Sequence, residues 1–338
     1  MKAAITIVVA TYHRPAALRN AIRSARAQTM PDWRMIVIGD CCSDETESVV
    51  REFDDARIRF ANLPERFGEQ AGPNSVGMAL ADTDYLAFLN QDDLWLPHHL
   101  DHALGAMAKA DLYWARAAFF DNRGPRADAA IFTEAHPKER SLEEACNSPR
   151  WYIEPMSGWV MRTALAQEIG PMGLSSKLAT VPIDDYVLRL WQAAPRFTSG
   201  SEIALLKEKM NMRKIGGKDV DPHYAIAPLY AESWLDKMEA GSTDLLLEEI
   251  EEDIWLAAHL GLSRTWARAD GTGGLSRTRF YEKTGIDTVD ASLLAAGSSD
   301  EPGFVISQSL RNRTGETLAS QPPLEQAINA ARTQLRVR

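Results

Sequence analysis

Three short apolar runs, each breaking into polar residues, constrain this 338-residue chain more than any other feature. Ile5-Thr6-Ile7-Val8-Val9-Ala10 runs into Thr11-Tyr12-His13-Arg14-Pro15. Met35-Ile36-Val37-Ile38 ends at Gly39-Asp40-Cys41-Cys42-Ser43-Asp44, and Tyr85-Leu86-Ala87-Phe88-Leu89 ends at Asn90-Gln91-Asp92-Asp93. Continuous apolar runs rich in β-formers read as strands buried on both faces. Helical signals separate them. Pro15 stands at a helix start, where a missing N–H costs nothing, and Leu18, Ala21, Ile22 and Ala25 share one face. Asp44 with Glu47 makes a capping-box-like start ahead of Val49, Val50 and Phe53. Residues 57–60 alternate like a short strand, 74–81 read as a helix, and Pro97 opens another over 98–110. Strand and helix in alternation predict an α/β fold with a mostly parallel sheet covered by helices on both faces. In such sheets ligands sit beyond the carboxyl ends of the strands, where these polar turns fall.

Further along, 111–116 and 129–132 are weaker strand candidates. Residues 159–170 read as a helix closed by Gly170, and 184–191 as another short one. The character changes near Lys218. A long acidic amphipathic helix spans 245–260, capped by Ser242 or Thr243 and closed by Gly261, and 324–338 reads as a last helix. The expected division is 1–217 and a mainly helical region 218–338. A hydrophobic share of 45% and a charged share of 25% are those of a globular protein. No stretch approaches the length of a membrane span, and Ile5 to Ala10 is too short for a signal peptide. The formal charge of −10 argues against nucleic acid as a partner. Of the three cysteines, Cys41 and Cys42 are adjacent, a poor geometry for an ordinary disulfide, so a reducing, cytoplasmic setting is expected.

Five segments together resemble the motifs of family 2 glycosyltransferases of the GT-A fold. They are Ala10-Thr11-Tyr12-His13-Arg14-Pro15, Gln28-Thr29-Met30-Pro31-Asp32-Trp33, Gly39-Asp40-Cys41-Cys42-Ser43-Asp44, Asn90-Gln91-Asp92-Asp93-Leu94-Trp95 and Asp184-Asp185-Tyr186. They stand in the family's order at its spacing, over about the first two hundred residues. The resemblance implies a Rossmann-like sheet and an inverting transfer of sugar from a nucleotide-diphosphate donor (UDP, dTDP or GDP) to a hydroxyl of a glycan or glycoconjugate. It assigns Thr11, Tyr12, Arg14 and Asp40 to the nucleotide, with Asn74, Asn90 and Gln91 completing the donor site. Asp92 then binds Mn²⁺ or Mg²⁺ against the diphosphate, and Asp185 is the general base, with Asp184 in reserve. Three departures stand out. Gly39 and Asn90 replace acids of the pattern, and 68–74 lacks an arginine often found there. The acid replacements motivate an alternative, a non-catalytic nucleotide- or glycan-binding module on the same fold.

Other features have plainer readings. His98 and His102 fall one helical turn apart, but the sequence offers no evident third ligand, so a solvent-facing helix is expected. Trp159 suits either a core position or a sugar-stacking one. Arg264, Arg268, Arg277 and Arg279 suit a solvated loop better than a phosphate clamp. For the C-terminal region the expectation is packing within the protein or in a homodimer. Peripheral membrane contact is compatible with it, although the 245–260 helix is too acidic to seek an anionic bilayer.

Overall fold

The structure, a computed structural model, describes residues 3–121, 131–136, 155–178, 182–208, 229–259 and 321–336. The four segments expected as the early strands form β1 (Ile5–Thr11), β2 (Trp33–Gly39), β3 (Ile58–Asn62) and β4 (Tyr85–Phe88). All pair in parallel, in the spatial order β3-β2-β1-β4. Helices α1 (Pro15–Arg26), α2 (Asp44–Glu52) and α3 (Ala71–Leu80) connect them. The chain leaves β1 for β2 on one side and later returns to β4 on the other. Strand order therefore reverses between β1 and β4, and a crevice opens at their carboxyl ends.

Beyond β4 the sheet becomes mixed. β5 (Leu94–Trp95) and α4 (His99–Met107) precede β6 (Leu112–Asp121) and β7 (Ile131–His136). β8 (Trp159–Arg162) lies antiparallel between β4 and β6. After α5 (Thr163–Ile169) and α6 (Pro182–Ala193) comes β9 (Phe197–Glu208), parallel to β6 and antiparallel to β5. The expected helix over 159–170 is thus a strand followed by a helix. Val160 and Met161 are fully buried in the centre of the sheet, and that burial overrides their helix-like spacing. The helix starts only at Thr163, and Gly170 closes it with φ 84°. The sequence reading has no counterpart for β9. Its first half, Thr198-Ser199-Gly200-Ser201-Glu202, is polar and its pairing with β6 shifts register, which hides a strand from pattern reading.

The described C-terminal helices pack onto this sheet. α7 (Leu229–Glu239) and α8 (Thr243–His259) bury Trp234, Leu235, Leu246 and Ile250 against Leu94, Leu96, Phe120 and Phe132. α9 (Leu324–Arg336) returns to the other end, where Ala327, Ala331 and Leu335 meet Ile36, Ile38, Ala61 and Phe67. No described helix is long and apolar enough to cross a membrane. Cys146, the four arginines between 264 and 279, and the proposed boundary at 217–218 lie outside the described residues.

Candidate functional site

The crevice between β1 and β4 is built by hydrogen bonds between their two outgoing loops. Gln91 Oε1 accepts from Thr11 Oγ1 at 2.6 Å and from the Tyr12 amide at 3.0 Å. Arg14 Nη1 donates to Asp92 Oδ2 at 2.7 Å. Five of the expected residues are thereby brought together: Thr11, Tyr12, Arg14, Gln91 and Asp92. Both turns that leave the neighbouring strands are strained, with His13 at φ 43° and Cys41 at φ 59°. Left-handed backbone in a non-glycine residue is uncommon and concentrates at functional sites.

Asp40, at the end of β2, is 4% exposed. Its Oδ1 accepts from the Phe67 amide at 2.7 Å and its Oδ2 from the Gly68 amide at 2.9 Å. Burial raises its pKa, and these two donors oppose that rise. Asp40 therefore shapes the loop 63–70, and each oxygen keeps a lone pair for a further donor. From that loop Arg66 lays its guanidinium 3.8 Å from the Tyr12 ring centroid. Sequence reading noted a missing arginine in 68–74; a guanidinium reaches the same loop from two residues upstream.

The two acids after β4 face opposite ways. Asp93 is fully buried. Its Oδ2 accepts from Asn90 Nδ2 at 3.0 Å and from the Ser157 hydroxyl, and its Oδ1 pairs with Lys207 Nζ at 3.0 Å. Burial raises its pKa, against the pull of Lys207. Asp92 keeps 21% of its side chain in solvent. Burial would push its carboxyl up, but the Lys207 and Arg14 cations outweigh that and hold it low. A charged, partly open carboxylate beside a crevice fits a hard divalent cation whose other ligands are diphosphate oxygens and water. Asp93 does not fit, since both its oxygens are turned inward. Asn90 is also turned inward, and its amide N–H donates to Ser157 Oγ at 2.9 Å.

Ser157 sits in the turn Met156–Gly158 ahead of β8, and that turn links several parts of the site. Its carbonyl accepts from Trp95 Nε1 at 2.7 Å. Buried Asn74 on α3 turns its Nδ2 toward Met156 Sδ, at 3.7 Å. Trp159 is 2% exposed and stacks on Tyr186 of α6, ring centroids 6.4 Å apart, so it is a core residue. That stack packs α6 against β8. Asp185, 3% exposed, accepts on Oδ2 from Arg189 Nε at 3.0 Å and Nη2 at 2.8 Å. Arg189 is itself anchored on the Ile169 and Pro171 carbonyls. The pair fixes the orientation of Asp185.

Sequence reasoning missed Arg66 and Lys207, because each enters through tertiary contacts with no motif of its own. It also missed Glu202. The pair His98 and His102 meets this carboxylate from β9, with one ligand atom of each side chain within 4.8 Å of the others. His99 between them is fully buried and packs at a tilt against Trp95, and burial holds its imidazole neutral with a pKa pushed down to about 3.

Comparison with known proteins agrees with this geometry. Residues 6–170 match the family described as glycosyl transferase family 2. The succinoglycan biosynthesis protein ExoW of Rhizobium meliloti is 35% identical over 122 residues, 33% of this chain and 37% of that protein. The Escherichia coli enzyme WfgD, a UDP-Glc:alpha-D-GlcNAc-diphosphoundecaprenol beta-1,3-glucosyltransferase, is 29% identical over 108 residues, 32% of this chain and 42% of that enzyme. The matched stretch thus spans about two fifths of each of these relatives. An uncharacterized glycosyltransferase of Nostoc sp. is 22% identical over 84% of both chains. Among solved structures, S. aureus TarS 1-349 in complex with UDP-GlcNAc superposes with a TM-score of 0.52 at 15% identity, covering all of this chain and 93% of that one. Residues 6–170, just under half of the chain, thus form a glycosyl transferase family 2 domain, on the GT-A fold.

Proposed function

We propose that this protein transfers a sugar from a nucleotide-diphosphate donor to a hydroxyl of a glycan or glycoconjugate, with inversion at the anomeric carbon. The observation that carries the reading is the junction of Thr11, Tyr12 and Arg14 with Gln91 and Asp92 across the strand-order reversal. That is where an α/β sheet holds an anionic ligand. Two of the similar proteins are named for, or crystallised with, a UDP-sugar, so UDP leads the expected donors over dTDP and GDP. A base that presents an N–H suits the acceptor atoms left on Asp40, and the Tyr12–Arg66 pair offers it a flat wall. Mn²⁺ or Mg²⁺ held by Asp92 supplies neutralising charge for the departing diphosphate. Arg14, fixed by its bond to Asp92, presents a second cation to the same charge. Asp185 takes the acceptor proton as the new C–O bond forms and the bond to the diphosphate oxygen breaks. A role in building a bacterial-type polysaccharide fits the names of the relatives.

The alternative of a non-catalytic module rests on Gly39 and Asn90, and both have local structural explanations in the close approach of Asn62 and the bond to Asp93. The experiment is a thermal-shift screen with UDP, dTDP, GDP, CDP and ADP, each with Mn²⁺ or with EDTA. A metal-dependent rise with one diphosphate, followed by turnover of the matching sugar, is the expected result. Tight nucleotide binding with neither hydrolysis nor transfer for any common sugar would favour the binding module instead.

A further inference from the structure

A second cluster of metal-ligating side chains lies at the start of α4, a few residues along the chain from Asp92. His98 caps α4 and His102 lies one turn on, with ring centroids 4.6 Å apart. Glu202 comes from β9, and its Oε2 lies 3.6 Å from His102 Nδ1. A backbone ladder makes this meeting, not a chance touch of long side chains. β5 pairs with Leu205 and Leu206 of β9, and the Leu96 amide donates to the Ala204 carbonyl at 3.0 Å. Residues 97–98 are thereby laid alongside 202–203.

Two details point to a ligand. His98 Nε2 lies 3.1 Å from the Ile203 carbonyl oxygen, which can only accept, so Nε2 carries the proton. Nδ1 is then the nitrogen with a lone pair. Histidines that bind metals commonly make this outer hydrogen bond to a backbone carbonyl, which fixes the tautomer. In addition, Asp244 in the first turn of α8 adds negative charge near His98 beyond that of Glu202. The set differs in kind from Asp92. Two imidazoles and a carboxylate suit a borderline first-row cation such as Zn²⁺, whereas an all-oxygen position suits Mg²⁺ or Mn²⁺. Bonds of about 2.0–2.2 Å require the ligand atoms to draw in by roughly 1 Å, within reach of side chains on an open surface.

We propose that His98, His102 and Glu202 form a zinc-class site, separate from the diphosphate position, that pins the start of α4 to β9. Three protein ligands leave a fourth position for water or for Asp244. The site closes the segment that begins at Asp92, so the bound ion stiffens the frame that presents that carboxylate. This inference does not depend on the sugar-transfer reading.

The test uses the full chain stripped with EDTA and dialysed, then titrated with Zn²⁺ by calorimetry, with a parallel melting curve. One ion per chain and a raised Tm are expected. His102→Ala and Glu202→Gln should each weaken binding at least about tenfold, the range that even outer partners of a ligand command. Asp92→Ala should bind Zn²⁺ as the parent does, and Co²⁺ should give the absorption of a four-coordinate site. His102 is exposed, so its variant should melt like the parent in EDTA. Zinc binding that survives His102→Ala, or that disappears with Cys41→Ser instead, would overturn the proposal, as would the absence of stoichiometric binding.

Discussion

Asn90 and Gly39 stand where the family pattern has acids, and each answers to one neighbour. Asn90 Nδ2 donates to Asp93, a buried carboxylate that also accepts from Ser157. An acid at 90 would set two carboxylates face to face and remove the donor. Asn90→Asp should therefore lower stability by on the order of 2 kcal/mol and weaken nucleotide binding. Urea melts and UDP titration check this, and a fully stable, tighter-binding variant would show that the amide is a loss. A Cβ on Gly39 would come within 2.7 Å of Asn62 Oδ1 and 3.0 Å of the Phe60 ring. Asn62 needs that space, since its side chain clamps both backbone groups of Cys42 at 2.8 Å. The next turn residue, Cys41, takes the left-handed backbone that suits the glycine of the family's Asp-Asp-Gly-Ser-like turn. Cys41→Gly should raise stability by up to about 1 kcal/mol, measured by chemical denaturation. For the chemistry, Asp92→Ala should abolish transfer together with metal-dependent nucleotide binding. Asp185→Asn should leave nucleotide binding intact while turnover collapses by about 10²-fold or more. Unchanged turnover in Asp185→Asn would move the base to another group, Asp184 first.

At the scale of elements, the loop 63–70 is held from two sides. Asp40 binds its backbone from beneath. From outside, Gln321 Nε2 donates to the Phe67 carbonyl at 3.0 Å and to Glu69 Oε1 at 2.7 Å, and Glu69 in turn accepts from the Ser175 amide at 2.9 Å. α9 adds an edge contact. Gln334 bonds the Asn62 amide at 2.9 Å and its carbonyl at 2.7 Å, satisfying the free edge of β3 where another chain could pair. The C-terminal segment therefore braces the wall against which a base would lie. Gln321→Ala should weaken UDP binding by about 1 kcal/mol, roughly fivefold, with little change in global stability. Equal affinity in parent and variant would show that Asp40 alone suffices. This brace joins residues more than 250 positions apart in sequence, so no local pattern announces it. Apart from the two-residue β5, the strands and helices of residues 5–107 were legible because each has its own apolar pattern. β9 and the strand at 159–162 were not, because their burial comes from neighbours rather than from their own spacing.

For the whole molecule, the described helices that follow residue 218 share their core with the sheet. Arg23 of α1 pairs with Asp236 at 3.0 Å and with Glu239 at 2.9 Å, and also with Glu232, all on α7. α7 and α8 cover one apolar surface of the sheet and α9 covers another. A chain ending at 217 should expose both surfaces and aggregate or bind a hydrophobic dye. A soluble monomer melting at the parent's temperature would show instead that 1–217 is a folding unit in its own right. The sequence by itself determined the parallel half of the sheet, its polar strand ends and the residues gathered there. Periodicity and turn chemistry act over a few residues and are written in local order. Only the tertiary structure decided that Asp93 faces Lys207 while Asp92 faces the crevice, that Glu202 meets His98 and His102, and that the C-terminal segment braces the loop 63–70. Those outcomes depend on which buried charges can find partners, and the partners come from strands and helices far along the chain.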